Sequence, residues 1–179
     1  MQTLPHSFET DRIIARLPRA SDAALLFASY TSDPTVVRYL LWTPHQSIDE
    51  TERFIDDCIA GVEAGTRFPY VLATKEKPDD PIGMLEARVS QHTVDMGYVL
   101  APRYWGQGLM PEAVRSLSEW ALTQERFFRV QAFCDVENKA SQRTLEKAGF
   151  VREGRLERYV VHPNQSPEPR ACFMYGCCR

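Results

Sequence analysis

Tyr98–Glu112 reads YVLAPRYWGQGLMPE, and its two flanks carry different periods. Upstream, Val94, Met96, Tyr98 and Leu100 alternate with Thr93, Asp95, Gly97 and Val99, the period-2 pattern of a half-buried strand. Downstream, Ala113, Leu117 and Trp120 recur at i, i+4 and i+7, widened by Val114 and Ala121, which is the stripe of a core-facing helix with Pro111 suited to its first turn. Between strand and helix lie Gly106 and Gly108, flanked by Arg103 and Gln107. Glycines there let several backbone N–H groups converge beside a helix N-terminus, the construction of a phosphate or pyrophosphate site, to which Arg103 or Arg115 adds charge. On spacing alone an ordinary strand–turn–helix connection is equally open. A Walker loop is excluded because Leu109 and Met110 follow Gly108 where Lys-Ser/Thr is required, and a dinucleotide fingerprint is excluded because Pro111 stands where a third glycine belongs.

The rest of the chain frames that loop. Its 179 residues fit one domain, 1–179. Hydrophobic residues at 44% and charged residues at 25%, with net charge −3, make a globular mixture without the broad basic surface that nucleic acid requires. The opening MQTLPHSFET has no basic or apolar signal region, and no run approaches the roughly 20 apolar residues of a membrane span. A soluble, cytoplasmic protein is expected, with no membrane partner. Five cysteines are an odd number without an export signal and read as thiols. Cys172, Cys177 and Cys178 cluster but lack zinc spacing, so no metal is expected.

In order, Arg12–Leu17 reads as a strand. A helix follows from Ala23 to about Tyr30, capped by Ser21 or Asp22, then a short turn at Asp33-Pro34. The apolar, aromatic piece Val36–His45 suits packing better than pocket lining. Ser47 and Glu50 resemble a capping box for a helix from Ile48 to about Ala64, with Phe54, Cys58 and Val62 inward and Gly65 ending it. Tyr70–Thr74 and Ile82–Val89 form a hairpin around the polar turn 75–81. After the central helix, Arg129–Asp135 is a fifth strand reached by a helical crossover. Asn138 and Gly149 mark the ends of a short helix on which Ser141, Leu145 and Ala148 share the inward face. Phe150–Val161 and Ala171–Cys177 close the chain as a pair of strands. The class is α/β (α+β): about seven strands in a mixed, mostly antiparallel sheet flanked by helices.

The loop, with Arg103, Gly106 and Gly108 in a Gln/Arg-x-x-Gly-x-Gly/Ala pattern, resembles the acetyl-CoA loop of the GCN5-related N-acetyltransferases. The tract Asn138, Ser141, Leu145, Glu146, Lys147, Gly149, Phe150 is similar to that of Rim-type members, which include enzymes acting on ribosomal-protein N-termini. Thr10, Arg12 and Arg16 on the first strand, and Gly97-Tyr98 leading to Pro102 and Tyr104-Trp105-Gly106, fit the same family. The resemblance therefore covers nearly the whole chain. It implies an acyl-CoA site where the fourth and fifth strands splay apart, with the pantetheine arm running against Tyr98, Val99 and Leu100. It also implies a pyrophosphate bound by the amides of Trp105, Gly106, Gln107, Gly108, Leu109 and Met110. Asn138 would contact the pantetheine region, and Ser141 would protonate the departing thiolate.

Direct attack of an amine on a thioester needs a neutral amine, an oriented site and an acceptable leaving group. An α-amine, with pKa about 7.7 to 8.0, is partly neutral at cellular pH, whereas a lysine amine near 10.4 is not. A peptide N-terminus is therefore the favoured acceptor, with an amino-sugar or other small amine as alternatives. Glu86 and Asp95 are candidate bases, with Glu157 behind them, and Tyr159 is a weaker candidate acid. Cys134 lies mid-strand without an evident base and reads as core, which favours direct transfer over an acyl-enzyme. A non-catalytic acyl-CoA sensor is the rival reading, and the sequence is compatible with a homodimer without requiring one.

Overall fold

Hydrophobic alternation and helix punctuation produce a single eight-stranded sheet with helices on its faces. The structure, a computed structural model, describes residues 4–179. In chain order the elements are β1 (Ser7–Glu9), β2 (Ile13–Arg16), α1 (Asp22–Leu26), α2 (Pro34–Val37), α3 (Ile48–Glu63), β3 (Arg67–Thr74), β4 (Lys77–Ser90), β5 (Thr93–Leu100), α4 (Leu109–Thr123), β6 (Arg129–Asp135), α5 (Lys139–Lys147), β7 (Val151–Val161) and β8 (Pro169–Cys178). The sheet order is β1-β2-β3-β4-β5-β6-β8-β7. Every pairing is antiparallel except β5 with β6, which the α4 crossover makes parallel.

That parallel pairing is short. Only Thr93, Val94 and Asp95 match Arg129, Val130 and Gln131, after which the two strands part. β5 stays paired with β4 as far as Leu100, and β6 with β8 as far as Asp135. From Met96 onward β5 therefore presents one unpaired side to a gap in the middle of the sheet. The expected splay lies between β5 and β6, the fourth and fifth strands of the sequence reading.

One apolar cluster joins the sheet to α4 and α5 through Ala113, Val114, Leu117, Ala121 and Leu145. A second, around Leu26, Tyr30, Ile55, Cys58 and Met84, seats α1 and α3 on β3 and β4. Among the described residues no helix is long and apolar enough to cross a membrane, and no group of three or more His, Cys, Asp or Glu is placed to hold a metal ion.

Several expectations change in detail. The sheet gains an eighth strand because Ser7–Glu9 pairs with β2. The helix expected from Ala23 to Tyr30 is regular only to Leu26, and Phe27–Thr31 widens into a π turn that lets consecutive residues Tyr30 and Thr31 both reach the interior. Neither candidate caps its N-terminus: Ser21 makes no cap bond, and the buried Asp22 instead receives Arg16 and the Arg19 amide. At α3 neither reciprocal bond of the capping box forms. Glu50 accepts the Gln46 amide, the Ser47 side chain caps nothing, and the buried stripe is Thr51, Ile55 and Cys58 rather than Phe54, Cys58 and Val62. The polar turn 75–81 is mostly strand, since β4 begins at Lys77 and bulges opposite Ala73 and Thr74.

Candidate active site

The gap between β5 and β6 opens into a cleft of about 750 Å3. β5 provides its floor from Met96 to Leu100, the loop before α4 and the first turn of α4 close one end, α5 forms a wall, and the segment after α2 closes the other end.

At the loop end, Gly106 (φ 75°) and Gly108 (φ 76°) both take left-handed conformations, and Gly108 caps α4. L side chains are disfavoured there, which is why glycine stands at both positions. The Trp105 amide is spent on Pro102 O, whereas those from Gly106 to Met110 have no acceptor among the described residues. Arg103 turns away from the cleft to pair with Asp80 at 2.9 Å and stack on Tyr104, so it adds no charge to the loop. Gln107 also points outward and braces the turn by donating to Arg103 O. The cations lining this end are Arg143 and Lys147, one turn apart on α5, while Arg115 donates to Lys147 O.

Glu112, an acid in the first turn of α4 beside the glycine turn, is held by the first strands. Arg12 donates from Nε to Glu112 Oε2 at 2.7 Å and from its backbone N to Oε1 at 3.0 Å, and Thr10 donates to the same Oε1. Arg12 Nη1 also donates to Gln107 O at 3.0 Å, tying β2 to the glycine turn.

Midway along the cleft, Tyr98 and Ser141 meet across the gap, with Oη and Oγ 2.8 Å apart. The α5 cap places the serine: the Asn138 side chain accepts the Ser141 amide at 3.1 Å. Burial pushes the Tyr98 phenol up, so it is held protonated. Cys134 also lines this region, and burial raises its thiol to about 11 against the lowering influence of Ser141; it is neutral, unlike an activated nucleophile. The sequence reading used Tyr98 only for its backbone. Its hydroxyl joins the site because residue 98 faces the same side of β5 as the buried Met96.

At the far end the piece expected to pack lines the cleft: Tyr39, Leu40, Leu41 and Trp42 all border it. The turn between β7 and β8 holds this piece in place, Asn164 Nδ2 donating to Val37 O at 2.7 Å and Trp42 O at 2.8 Å. Glu86 also borders the cleft, but its carboxylate is taken up by Arg67 Nε at 2.7 Å and by Arg88 Nε and Nη2 at 2.9 and 3.0 Å. Burial acts to raise its pKa, and the two guanidinium groups outweigh it, leaving the carboxyl below its usual range. Asp95 lies in the paired part of the sheet, accepts Gln131 Nε2 at 2.6 Å, and does not border the cleft. Glu157 is exposed and pairs with Arg155, while Tyr159 packs its ring against Phe133 outside the lining.

Residues 12–151 match the family model described as an acetyltransferase (GNAT) domain. The chain belongs to that acetyltransferase family. An uncharacterized N-acetyltransferase, p20, of Bacillus licheniformis is 28% identical over 153 residues, covering 84% of this chain and 85% of the relative. The ribosomal protein uS5-alanine N-acetyltransferase of Escherichia coli K12 is 26% identical over 169 residues, covering 87% and 84%. The solved structure of the microcin C7 self-immunity acetyltransferase MccE, in complex with acetyl-CoA and AMP, shares the fold with a TM-score of 0.85 at 19% identity, covering 95% of this chain and 94% of that one. A Rim-type relative and a mixed, open sheet with flanking helices accord with the sequence reading of this acetyltransferase-family chain.

Proposed function

We propose that the protein is an acetyl-CoA-dependent N-acetyltransferase that passes the acetyl group directly to a primary amine. The observation that carries this reading is the Tyr98–Ser141 hydroxyl pair, 2.8 Å apart, at the centre of a cleft whose loop end offers five unspent backbone amides, Gly106 to Met110. The amide nest suits a pyrophosphate, with Arg143 and Lys147 adding charge. The side of β5 that no strand pairs, from Tyr98 to Leu100, suits an extended, amide-bearing arm as an added strand, although Leu100 O is already taken by Trp105 Nε1 at 2.6 Å, and Asn138 stands beside its path.

The amine lone pair attacks the thioester carbonyl carbon, the C–S bond breaks, and the departing thiolate takes a proton from Ser141, which Tyr98 replenishes through their shared hydrogen bond; the proton that the nitrogen sheds on becoming an amide passes to solvent, from which Tyr98 regains its own. A thiol pKa of about 8.5 makes the leaving group fair without help, so the pair accelerates the step rather than enabling it. Glu86, already engaged by two guanidinium groups, is too weakly basic to strip an ammonium by itself, and Asp95 reaches the site only by relay. That favours an acceptor neutral near pH 7 to 8, as a peptide α-amine is, over a lysine side chain.

Release of free thiol from acetyl-CoA over a panel of peptides and small amines, with mass spectrometry of the acetylated products, tests this. Gly108→Trp should raise KM for acetyl-CoA through strain at a left-handed position and bulk in the nest. Tight CoA binding with no amine turned over would instead favour a sensing domain.

A further inference from the structure

The acceptor end of the cleft has a charge opposite to what an amine substrate would select. The chain's formal net charge is −3, yet the groups bordering the cleft include Arg38, Arg67, Arg88, Arg143 and Lys147 against a single carboxylate, Glu86. Arg143 and Lys147 sit on α5 near the glycine loop. Of the other three, Arg38 lies over Tyr39 at the start of the aromatic piece, while Arg67 and Arg88 share the single carboxylate Glu86, with Asp57 attracting Arg67 more weakly from outside the lining.

Arg67 is the pivotal member. It gives only its Nε–H to Glu86, its terminal guanidinium nitrogens have no partner among the described residues, and its side chain is one-third exposed within the cleft. Arg38 lies over the Tyr39 ring, 5.3 Å from its centroid, and makes no ion pair among the described residues. A protonated amine approaching alone meets like charge. An amine that brings its own anion meets a fork of free N–H donors. The same field favours the neutral form of the amine, which is the nucleophilic form.

Resting on the transferase reading above, we propose that the acceptor is a primary amine carrying a carboxylate or phosphate a few bonds from its nitrogen, with that anion bound by Arg67 and supported by Arg38 and Arg88. Polycationic amines are excluded from the site. A free amino acid and a peptide with an acidic residue next to its N-terminus share this chemistry.

Two matched pairs separate them: 4-aminobutyrate against putrescine, and Gly-Asp-amide against Gly-Asn-amide. The readout is the ratio of kcat/KM within each pair, in which overall losses of folded protein cancel. At least a tenfold preference for the anionic member in one pair is expected, and the pair showing it identifies the source. Arg67→Met should reduce that ratio severalfold, and Glu86→Gln, which removes the competing carboxylate, should increase it. Ratios at or below one in both pairs overturn the proposal while leaving the transferase reading intact. If no amine is turned over, calorimetric titration of the CoA-loaded protein with the same four compounds decides. Selective binding of the anionic members supports the anion site although transfer fails, and equal or absent binding overturns it.

Discussion

Replacing Arg12 by Met tests whether the glycine turn can serve the proposed pyrophosphate with an acid in the next helical turn. The side chain of Arg12 makes two connections at once, to the Glu112 carboxylate and to Gln107 O. The ion pair is half exposed on the arginine side, with 51% of that side chain accessible, and is worth only about 1 kcal/mol after solvent screening. For a chain of this size that lowers Tm by about 2–4 °C. The larger effect is local. Without Arg12, Glu112 keeps its charge in the first turn of α4. One unpaired charge within about 8 Å of a bound anion costs about 0.5–2 kcal/mol between the limits of bulk water and a protein surface. KM for acetyl-CoA should therefore rise by about 2- to 30-fold at low salt, with kcat little changed, and the rise should shrink at about 0.5 M salt. Adding Glu112→Gln to Arg12→Met should recover most of the affinity, because the charge and not the lost brace is the cause. Steady-state kinetics on the two single variants and the double variant, at two salt concentrations, decide it. An unchanged KM in Arg12→Met, or a double variant no better than the single one, would refute the reasoning.

Three further outcomes are expected. Ser141→Ala and Tyr98→Phe should each lower kcat by about tenfold with little change in KM, and the double variant should lose little more than either alone because both act through one proton; additive losses would separate the hydroxyls. A Cβ at Gly83 would sit 2.3 Å from Val99 O and 3.0 Å from Leu100 Cα, so Gly83→Ala should cost about 1–3 kcal/mol by displacing backbone and should weaken CoA binding to the same stretch of β5. A wild-type melting temperature would contradict it. Asp135, fully buried, pairs with Arg170 at 2.6 Å. Burial acts to raise its carboxyl, and Arg170 with the Glu137 amide outweighs it, so the folded pKa lies below the unfolded one. Its stabilisation is present at neutral pH and is lost as pH falls below about 4. Arg170→Met should cost about 3–5 kcal/mol at pH 7 by leaving the carboxylate buried and unpaired. The gap from wild type should narrow on acidification, which thermal melts from pH 7 down to about 2.5 would show.

Where chemistry is local to a few residues, the sequence was readable. The period change around Gly106 and Gly108, the Asn138 cap, Gly149 and the alternation of Arg129–Asp135 each report backbone demands that neighbours along the chain impose, and the structure has a turn, caps and a strand there. What escaped depends on partners remote in sequence. Arg103 looked free for an anion until Asp80 from the preceding hairpin met it. The Tyr98 hydroxyl gained meaning only from Ser141, 43 residues on. Arg143 and Lys147 show the signal that was available: cations at i and i+4, bracketing a helix whose serine faces inward. Tyr39–Trp42 has the composition of core, and only the grip of Asn164, from the opposite end of the chain, turns it toward the cleft. Glu86 shows the reverse case, a carboxylate in the right place whose basicity is curtailed by Arg67 and Arg88.

The early divergence of β5 and β6 also bears on how the protein avoids sticking to itself. A row of unpaired backbone groups normally invites another polypeptide to template on it. Here that row lies inside a cleft also bordered by Leu109, Met110 and Ser141 rather than on an outer edge of the sheet. The outer rims are guarded differently. β1 has only three residues, and β7 carries Arg152, Glu153, Arg155 and Glu157 and breaks register around Arg158, whose φ is 46°. A sheet opened at its centre thereby keeps blunt outer rims, which disfavour edge-to-edge pairing.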